Sequence, residues 1–213
     1  VYLEKKTSDE IIKVEKVLLA VGVTGNINNL GLEDLGIETE AGAIKTDNYN
    51  RTNIENIYAI GEVCGPPWLA HVASAQGHLA AEHSAGLDVN PIDYSNIPGC
   101  TYCQPQVGSL GMTEEQALNS GFKVKVGRFS FQASGKAMAV GDTVGFVKLI
   151  FDEKYGELLG AHIVGSDATE MIAELGMAKA LEGTWDDLSM TVHAHPTLSE
   201  AIMEAAMDAQ GHS

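Results

Sequence analysis

Two apolar runs, 145–152 and 157–164, are separated by Lys154-Tyr155-Gly156. Strand-length runs joined by a loop of a few residues return antiparallel, because a parallel return needs a crossover of a dozen residues or more. The spacing therefore predicts a β-hairpin. Residues 123–131 alternate, with Val124, Val126, Phe129 and Phe131 between polar partners, and read as another strand. Residues 106–110 read as one more. An antiparallel sheet buries one face and needs a covering layer. The cover follows directly: Met171, Ile172, Leu175, Ala178 and Leu181 recur at helical spacing, which predicts a helix over 168–181. Short helices are expected at 185–190 and from Leu198 to about Ala209. Thr113 and Gln116 form a capping-box pattern for a helix ending at Gly121.

The first half reads differently. Val17-Leu18-Leu19-Ala20-Val21 is a continuous apolar run closed by Gly22, the pattern of a strand buried on both faces in a parallel sheet. Ile57-Tyr58-Ala59-Ile60 repeats it, ending in Gly61-Glu62. An Ala-rich helix is predicted over 69–85, stopping at Gly86. The segment from Asn90-Pro91 to Pro98-Gly99 reads as a connector. The expected architecture is an α/β portion followed by an α+β domain with an antiparallel sheet and helices. The chain opens in strand-like Val1-Tyr2-Leu3 and turns at Thr7-Ser8-Asp9. A domain rarely starts inside a hairpin, so the α/β portion is expected to be truncated, with more chain upstream.

Charge excludes some functions. There are 29 acidic and 13 basic residues, a net charge of −16. The bias is even: 14 acidic and 6 basic residues before Pro98, 15 and 7 from Pro98 onward. A general nucleic-acid binder needs clustered Lys and Arg instead. With 45% apolar residues the chain is too hydrophobic for an acidic disordered tail. No run approaches the roughly 18 apolar residues of a membrane span.

The densest chemistry lies in His193-Ala194-His195-Pro196-Thr197-Leu198-Ser199-Glu200. On one reading Thr197 and Glu200 are a capping box and both histidines are loop residues. On another, a carboxylate one turn into the helix orients a histidine just before it. Such a pair is a general acid–base, with the tautomer fixed by the carboxylate. A metal site at His193 and His195 lacks further ligands at zinc-like spacing. Cys64, Cys100 and Cys103 are the only cysteines. Cys100 and Cys103 form a C-x-x-C without the second pair of a zinc site, and not at a helix start.

Together these segments resemble the flavin disulfide reductases, the class I pyridine nucleotide-disulfide oxidoreductases. HAHPTLSE resembles the family's C-terminal signature. Thr52-Asn53-Ile54-Glu55-Asn56-Ile57-Tyr58-Ala59-Ile60-Gly61-Glu62 resembles its second flavin-binding motif, with Glu62 at the usual Asp. Pro67-Trp68-Leu69-Ala70-His71 resembles the family's P-M-L-A-H segment. Ile97-Pro98-Gly99-Cys100-Thr101-Tyr102 resembles the opening of the dimerisation domain. Leu159-Gly160-Ala161-His162-Ile163-Val164-Gly165 resembles its L-G-A-H-I-x-G strand. The full HAHPTLSE string favours the branch that oxidises dihydrolipoyl groups over the glutathione and mercuric reductases.

The resemblance implies roles. His195 would move a thiol proton and Glu200 would orient it, across a homodimer interface. Gly61 and Glu62 would meet the FAD sugar or ribityl hydroxyls. The backbone at Trp68, Leu69, Ala70 and His71 would face the flavin ring, and Gly22 would admit NAD. Residues 1–22 would end an NAD-binding domain, 23–97 would be a central interface segment, and 98–213 the dimerisation domain. The implied partners are lipoyl domains and the subunit-binding domain of an acyltransferase core, with no nucleic acid and no membrane. The implied location is a bacterial cytoplasm or a mitochondrial matrix. A glycine-rich G-x-G-x-x-G loop and a C-x-x-x-x-C redox disulfide are absent from these 213 residues. The chain alone is therefore expected to be inactive and to hold no FAD stably. The other reading is a non-catalytic dimerisation or docking module.

Overall fold

A computed structural model describes residues 2–3 and 10–212. The chain divides into two compact units, Val1–Ile92 and Asp93–Ser213.

In the first unit, β1 (Tyr2–Leu3) pairs antiparallel with β2 (Glu10–Ile11). The turn expected at Thr7-Ser8-Asp9 lies outside the described residues. Helix α1 (Leu32–Leu35) precedes a tight hairpin of β3 (Thr39–Glu40) and β4 (Ala43–Ile44). Its two loop residues, Ala41 and Gly42, both have positive φ, 50° and 81°. That is the turn whose twist suits a two-residue hairpin. A 3-10 turn over Gly61–Cys64 leads towards the long helix α2 (Ala70–Ser84). Gly86 ends α2 in a left-handed conformation, and Leu87 N–H returns to the Glu82 carbonyl at 3.1 Å. A small core gathers Leu32, Ile37, Ile44 and Ala59, with Ile27, Ile54 and Ile57 against it.

Two sequence expectations fail here. Residues 17–21 form no strand, and Leu18 is 91% exposed. A strand buried on both faces needs partner strands on its edges and a layer on each side. Among the described residues none pairs with this run. Residues 57–60 are not a ladder strand either. They make one antiparallel bridge, Tyr58 to Arg51, with Ala59 buried and Ile60 exposed.

The second unit carries a five-stranded antiparallel sheet in the order β5-β6-β9-β8-β7. The strands are β5 (Gly99–Thr101), β6 (Gln106–Gly111), β7 (Val124–Ser130), β8 (Phe146–Asp152) and β9 (Leu158–Gly165). The hairpin of β8 and β9 forms as its sequence requires, with a register shift between Ile150 and Phe151. Helix α3 (Glu114–Asn119) carries the complete capping box: Gln116 N–H donates to Thr113 Oγ1, and Thr113 N–H donates to Gln116 Oε1. A short helix α4 (Gly135–Val140), capped by Ser134, joins β7 to β8. Nothing in the periodicity pointed to α4, although Ser134 and Gly141 bracket it.

Helices α5 (Ala168–Ala180), α6 (Trp185–Met190) and α7 (Glu200–Gln210) complete the unit. Val147, Leu149 and Phe151 of β8 point one way, into the main core with Met171, Ile172, Leu175 and Ile202. Ile150 points the other way, onto Ala117 of α3. This is the period-two alternation of a strand. Helix α5 lies on β6 and β9, and α7 on β7 and β8. Glycine makes both approaches possible. A Cβ at Gly127 would sit 1.8 Å from the Ala205 carbonyl oxygen, and one at Gly108 would sit 2.6 Å from that of Ala168. The two helices are thus seated hard on the sheet, and the segment 191–199 leads from α6 to α7. Among the described residues, no helix is long and apolar enough to cross a membrane.

Candidate acid–base site

Segment 191–199 has no regular secondary structure. It places His195 at the start of α7, and Glu200 is that helix's first residue. The Glu200 carboxylate divides its oxygens. Oε1 lies 2.9 Å from His195 Nδ1, and Oε2 accepts from Thr197 N–H at 2.8 Å. The two readings of the sequence therefore share one side chain: Glu200 caps its own helix start and contacts the histidine. The capping box is only half made. Thr197 Oγ1 donates to the Ala194 carbonyl at 2.7 Å, and the N-cap position is Ser199, without a side-chain cap.

Thr197 N–H first, and then His195, hold the Glu200 carboxyl below its ordinary range. An ionised carboxylate only accepts hydrogen bonds, so His195 carries its proton on Nδ1 when neutral. Nε2 is then a lone-pair acceptor. The ring is 76% exposed, and Nε2 has no hydrogen-bond partner among the described residues. A fixed tautomer with an open Nε2 is the arrangement of a general base.

A second histidine–carboxylate pair stands beside the first. His193 Nε2 lies 2.7 Å from Glu174 Oε1 on α5, and His193 Nδ1 lies 2.9 Å from the Thr191 carbonyl. This ring is only 6% exposed. The sequence reading did not single out Glu174. Its signal was an acid one position before Leu175 on the apolar stripe of α5.

In the first unit, Gly61 has φ +75° and its N–H donates to Gln76 Oε1 at 2.7 Å. Gln76 is a buried side chain of α2. The hydrogen bond ties the Gly61–Glu62 turn to that helix. Glu62 is exposed. Trp68 and Leu69 directly precede α2, and Ala70 and His71 begin it. The helix has no side-chain N-cap, so its first turn presents N–H groups and a partial positive charge. Gly22 is exposed with φ +106° and open space where a Cβ would be. The structure gathers Gly61, Glu62 and residues 68–71 around the start of α2.

A cavity of about 440 Å³ in the same unit is lined by Thr24, Gly25, Ala43, Thr46, Cys64 and Trp68, among others. Burial pushes the Cys64 thiol up to about 11, against a hydrogen bond with Thr46. Cys100 lies on the edge strand β5. The exposed Cys103 donates through Sγ to the Pro105 carbonyl at 3.0 Å. No cluster of three or more metal-ligating side chains occurs among the described residues.

Comparison with known proteins agrees with this architecture. Residues 97–206 match the dimerisation domain of the pyridine nucleotide-disulphide oxidoreductases, and residues 1–77 match a second domain of the same family. A dihydrolipoyl dehydrogenase of Rhizobium etli is 51% identical over 210 residues, 97% of this chain and 44% of that protein. One from Chlorobaculum tepidum is 51% identical over 203 residues, 95% of this chain and 43% of that protein. The chain thus spans less than half the length of these curated relatives. A solved structure of the HOCl-induced flavoprotein disulfide reductase RclA from Escherichia coli superposes with a TM-score of 0.87 at 26% identity, covering 96% of this chain and 47% of RclA. With the dimerisation domain matched over more than half of its length, the chain belongs to the pyridine nucleotide-disulphide oxidoreductase family.

Proposed function

We propose that this chain supplies the acid–base pair and the dimer-forming domain of a dihydrolipoyl dehydrogenase, an enzyme that oxidises dihydrolipoyl groups with NAD. The observation that carries the proposal is the Glu200–His195 hydrogen bond with Nε2 left open. The half-identity to dihydrolipoyl dehydrogenases supports the substrate class.

On this reading Nε2 of His195 takes the proton of a dihydrolipoyl thiol. Thiolate is the nucleophile in thiol–disulfide exchange, so removing that proton starts the reaction. The same nitrogen returns the proton to the departing sulfur. Glu200 holds Nδ1–H throughout and stabilises the ring while it is cationic. Neither Cys100 nor Cys103 has a place in this chemistry.

The start of α2 suits a flavin. Its uncapped N–H groups favour negative charge, Gly61 allows close backbone approach, and the exposed Glu62 can accept from hydroxyls. FAD, when bound, would pass to NAD the electrons of a redox dithiol, formed when its disulfide is reduced by the dihydrolipoyl group. Gly22 would leave room for the nicotinamide cofactor. In the domain scheme, residues 1–22 end the NAD-binding part, 23–97 are the central segment and 98–213 dimerise. The exposed His195 fits a site completed by a second copy of the chain. Exposed Met138, Val140, Val144 and Phe146 in the same unit are consistent with burial between copies. Lipoyl domains and the subunit-binding domain of an acyltransferase core are the further partners this function requires.

Placing the chain in its aligned segment of the Rhizobium etli enzyme tests the substrate class. The chimera is expected to reduce NAD with dihydrolipoamide. Turnover of glutathione disulfide in its place would overturn the assignment.

A further inference from the structure

His195 is the more exposed and the less tethered of the two histidines. Its ring has a single hydrogen bond, on a segment without helix or strand. Something else must fix the backbone that carries it. Two residues away, the His193 side chain is buried and held on both sides. Its Nδ1 faces the Thr191 carbonyl at 2.9 Å. Its Nε2 faces Glu174 Oε1 at 2.7 Å, so the ring is bridged between the end of α6 and α5. Thr191 is itself tied to the end of α6: its N–H and its Oγ1 both donate to the Asp187 carbonyl, at 3.1 and 2.7 Å. Glu174 is carried by α5, which Gly108 allows to lie against β6. Consecutive Cα atoms are about 3.8 Å apart, so a shift of His193 passes almost directly to His195.

We propose that Glu174 and His193 are positioning residues for the acid–base pair. They pin the segment 191–199 to α5, so that His195 meets Glu200 with its Nδ1–H tautomer fixed. This rests on reading His195 as the acid–base residue. It adds that the geometry of His195 is set by a second histidine–carboxylate pair, with the His193 side chain buried.

The test uses the full 213-residue chain with ¹⁵N-labelled histidine and long-range ¹H–¹⁵N NMR at pH 8.5, where an unperturbed imidazole is neutral. In the unmodified chain, His195 is expected to show the Nδ1–H tautomer. A His195 ring that averages freely between tautomers overturns the proposal without any substitution. Glu174→Leu is expected to collapse the His195 pattern to tautomer averaging while the amide spectrum of β5–β9 stays native. Glu174→Gln, whose side-chain amide can still hydrogen-bond Nε2, is expected to keep it. His193→Leu, which fills the buried slot without either bond, is expected to behave as Glu174→Leu. An unchanged His195 pattern in either folded Leu variant overturns the proposal. The readout is independent of turnover. A chimera whose activity ignores His195 would sink the functional reading and leave these shifts intact.

Discussion

Glu200 Oε1 lies 2.9 Å from His195 Nδ1, while Oε2 of the same carboxylate holds Thr197 N–H at 2.8 Å. One side chain thus begins a helix and orients an imidazole. Both contacts need the ionised form, which is why the carboxyl sits below its ordinary 4.5. A depressed carboxyl stabilises the fold above its unfolded value and loses that contribution as pH falls through its folded value. Glu200→Gln keeps an acceptor for only one of the two donors. Its thermal midpoint is expected below that of the unmodified chain at pH 7, with the gap closing below pH 4. A gap that persists unchanged at pH 3 would contradict the linkage.

The same sign is expected at His162, in a higher pH window. Its ring lies on β9 between Ser109 Oγ and the Met112 carbonyl, each at 3.2 Å. Burial depresses its proton affinity below the ordinary 6.5, against the Met112 hydrogen bond and helped by the Lys148 charge. The unfolded chain therefore takes this proton first as pH falls. Stability is lost on acidification below about pH 6.5, a window separate from that of Glu200. His162→Gln is expected to flatten the denaturation midpoint between pH 7.5 and 5.5. An equal pH slope in both chains would contradict this.

The seat of α7 on the sheet depends on one missing methyl group. A Cβ at Gly127 would lie 1.8 Å from the Ala205 carbonyl oxygen, and backbone cannot yield as a flexible side chain can. Gly127→Ala is expected to cost about 3 kcal/mol, by forcing α7 away from β7. Chemical denaturation measures it directly. Gly135→Ala is the control, because nothing lies within 4 Å of its added Cβ.

The three thiols should differ in reactivity. Cys64, pushed up to about 11, is protonated at pH 8, and thiolate is the reactive form. Cys103 is exposed. Mass spectrometry after brief alkylation at pH 8 is expected to find Cys103 modified first and Cys64 last. Early labelling of Cys64 would contradict its protected setting.

What the sequence could reveal depended on how local the cause was. The β8–β9 hairpin and the α3 capping box are written within a few residues, and both form as read. The contact between His195 and Glu200 spans five positions and was one of two readings the spacing left open. Val17 to Val21 carries the composition of a buried strand, but burial belongs to neighbouring strands. Without such neighbours among the described residues, the run lies exposed. Tyr58 shows the same effect more mildly, with one bridge in place of a ladder. Helix α4 is too short for periodicity to show. Glu174 could not be read as a partner of His193, because the fold of α5 and α6 brings together residues 19 apart in sequence.

The central claim is that Nε2 of His195 moves the substrate proton. Its most direct measurement is the turnover of dihydrolipoamide with NAD by the Rhizobium etli chimera, with His195 and with His195→Gln. Positioned acid–base catalysis contributes about 10²- to 10⁴-fold. The account predicts a loss of that size in kcat, with the flavin absorbance of the two proteins equal. Turnover within a few-fold of the His195 chimera, at equal flavin content, would contradict it.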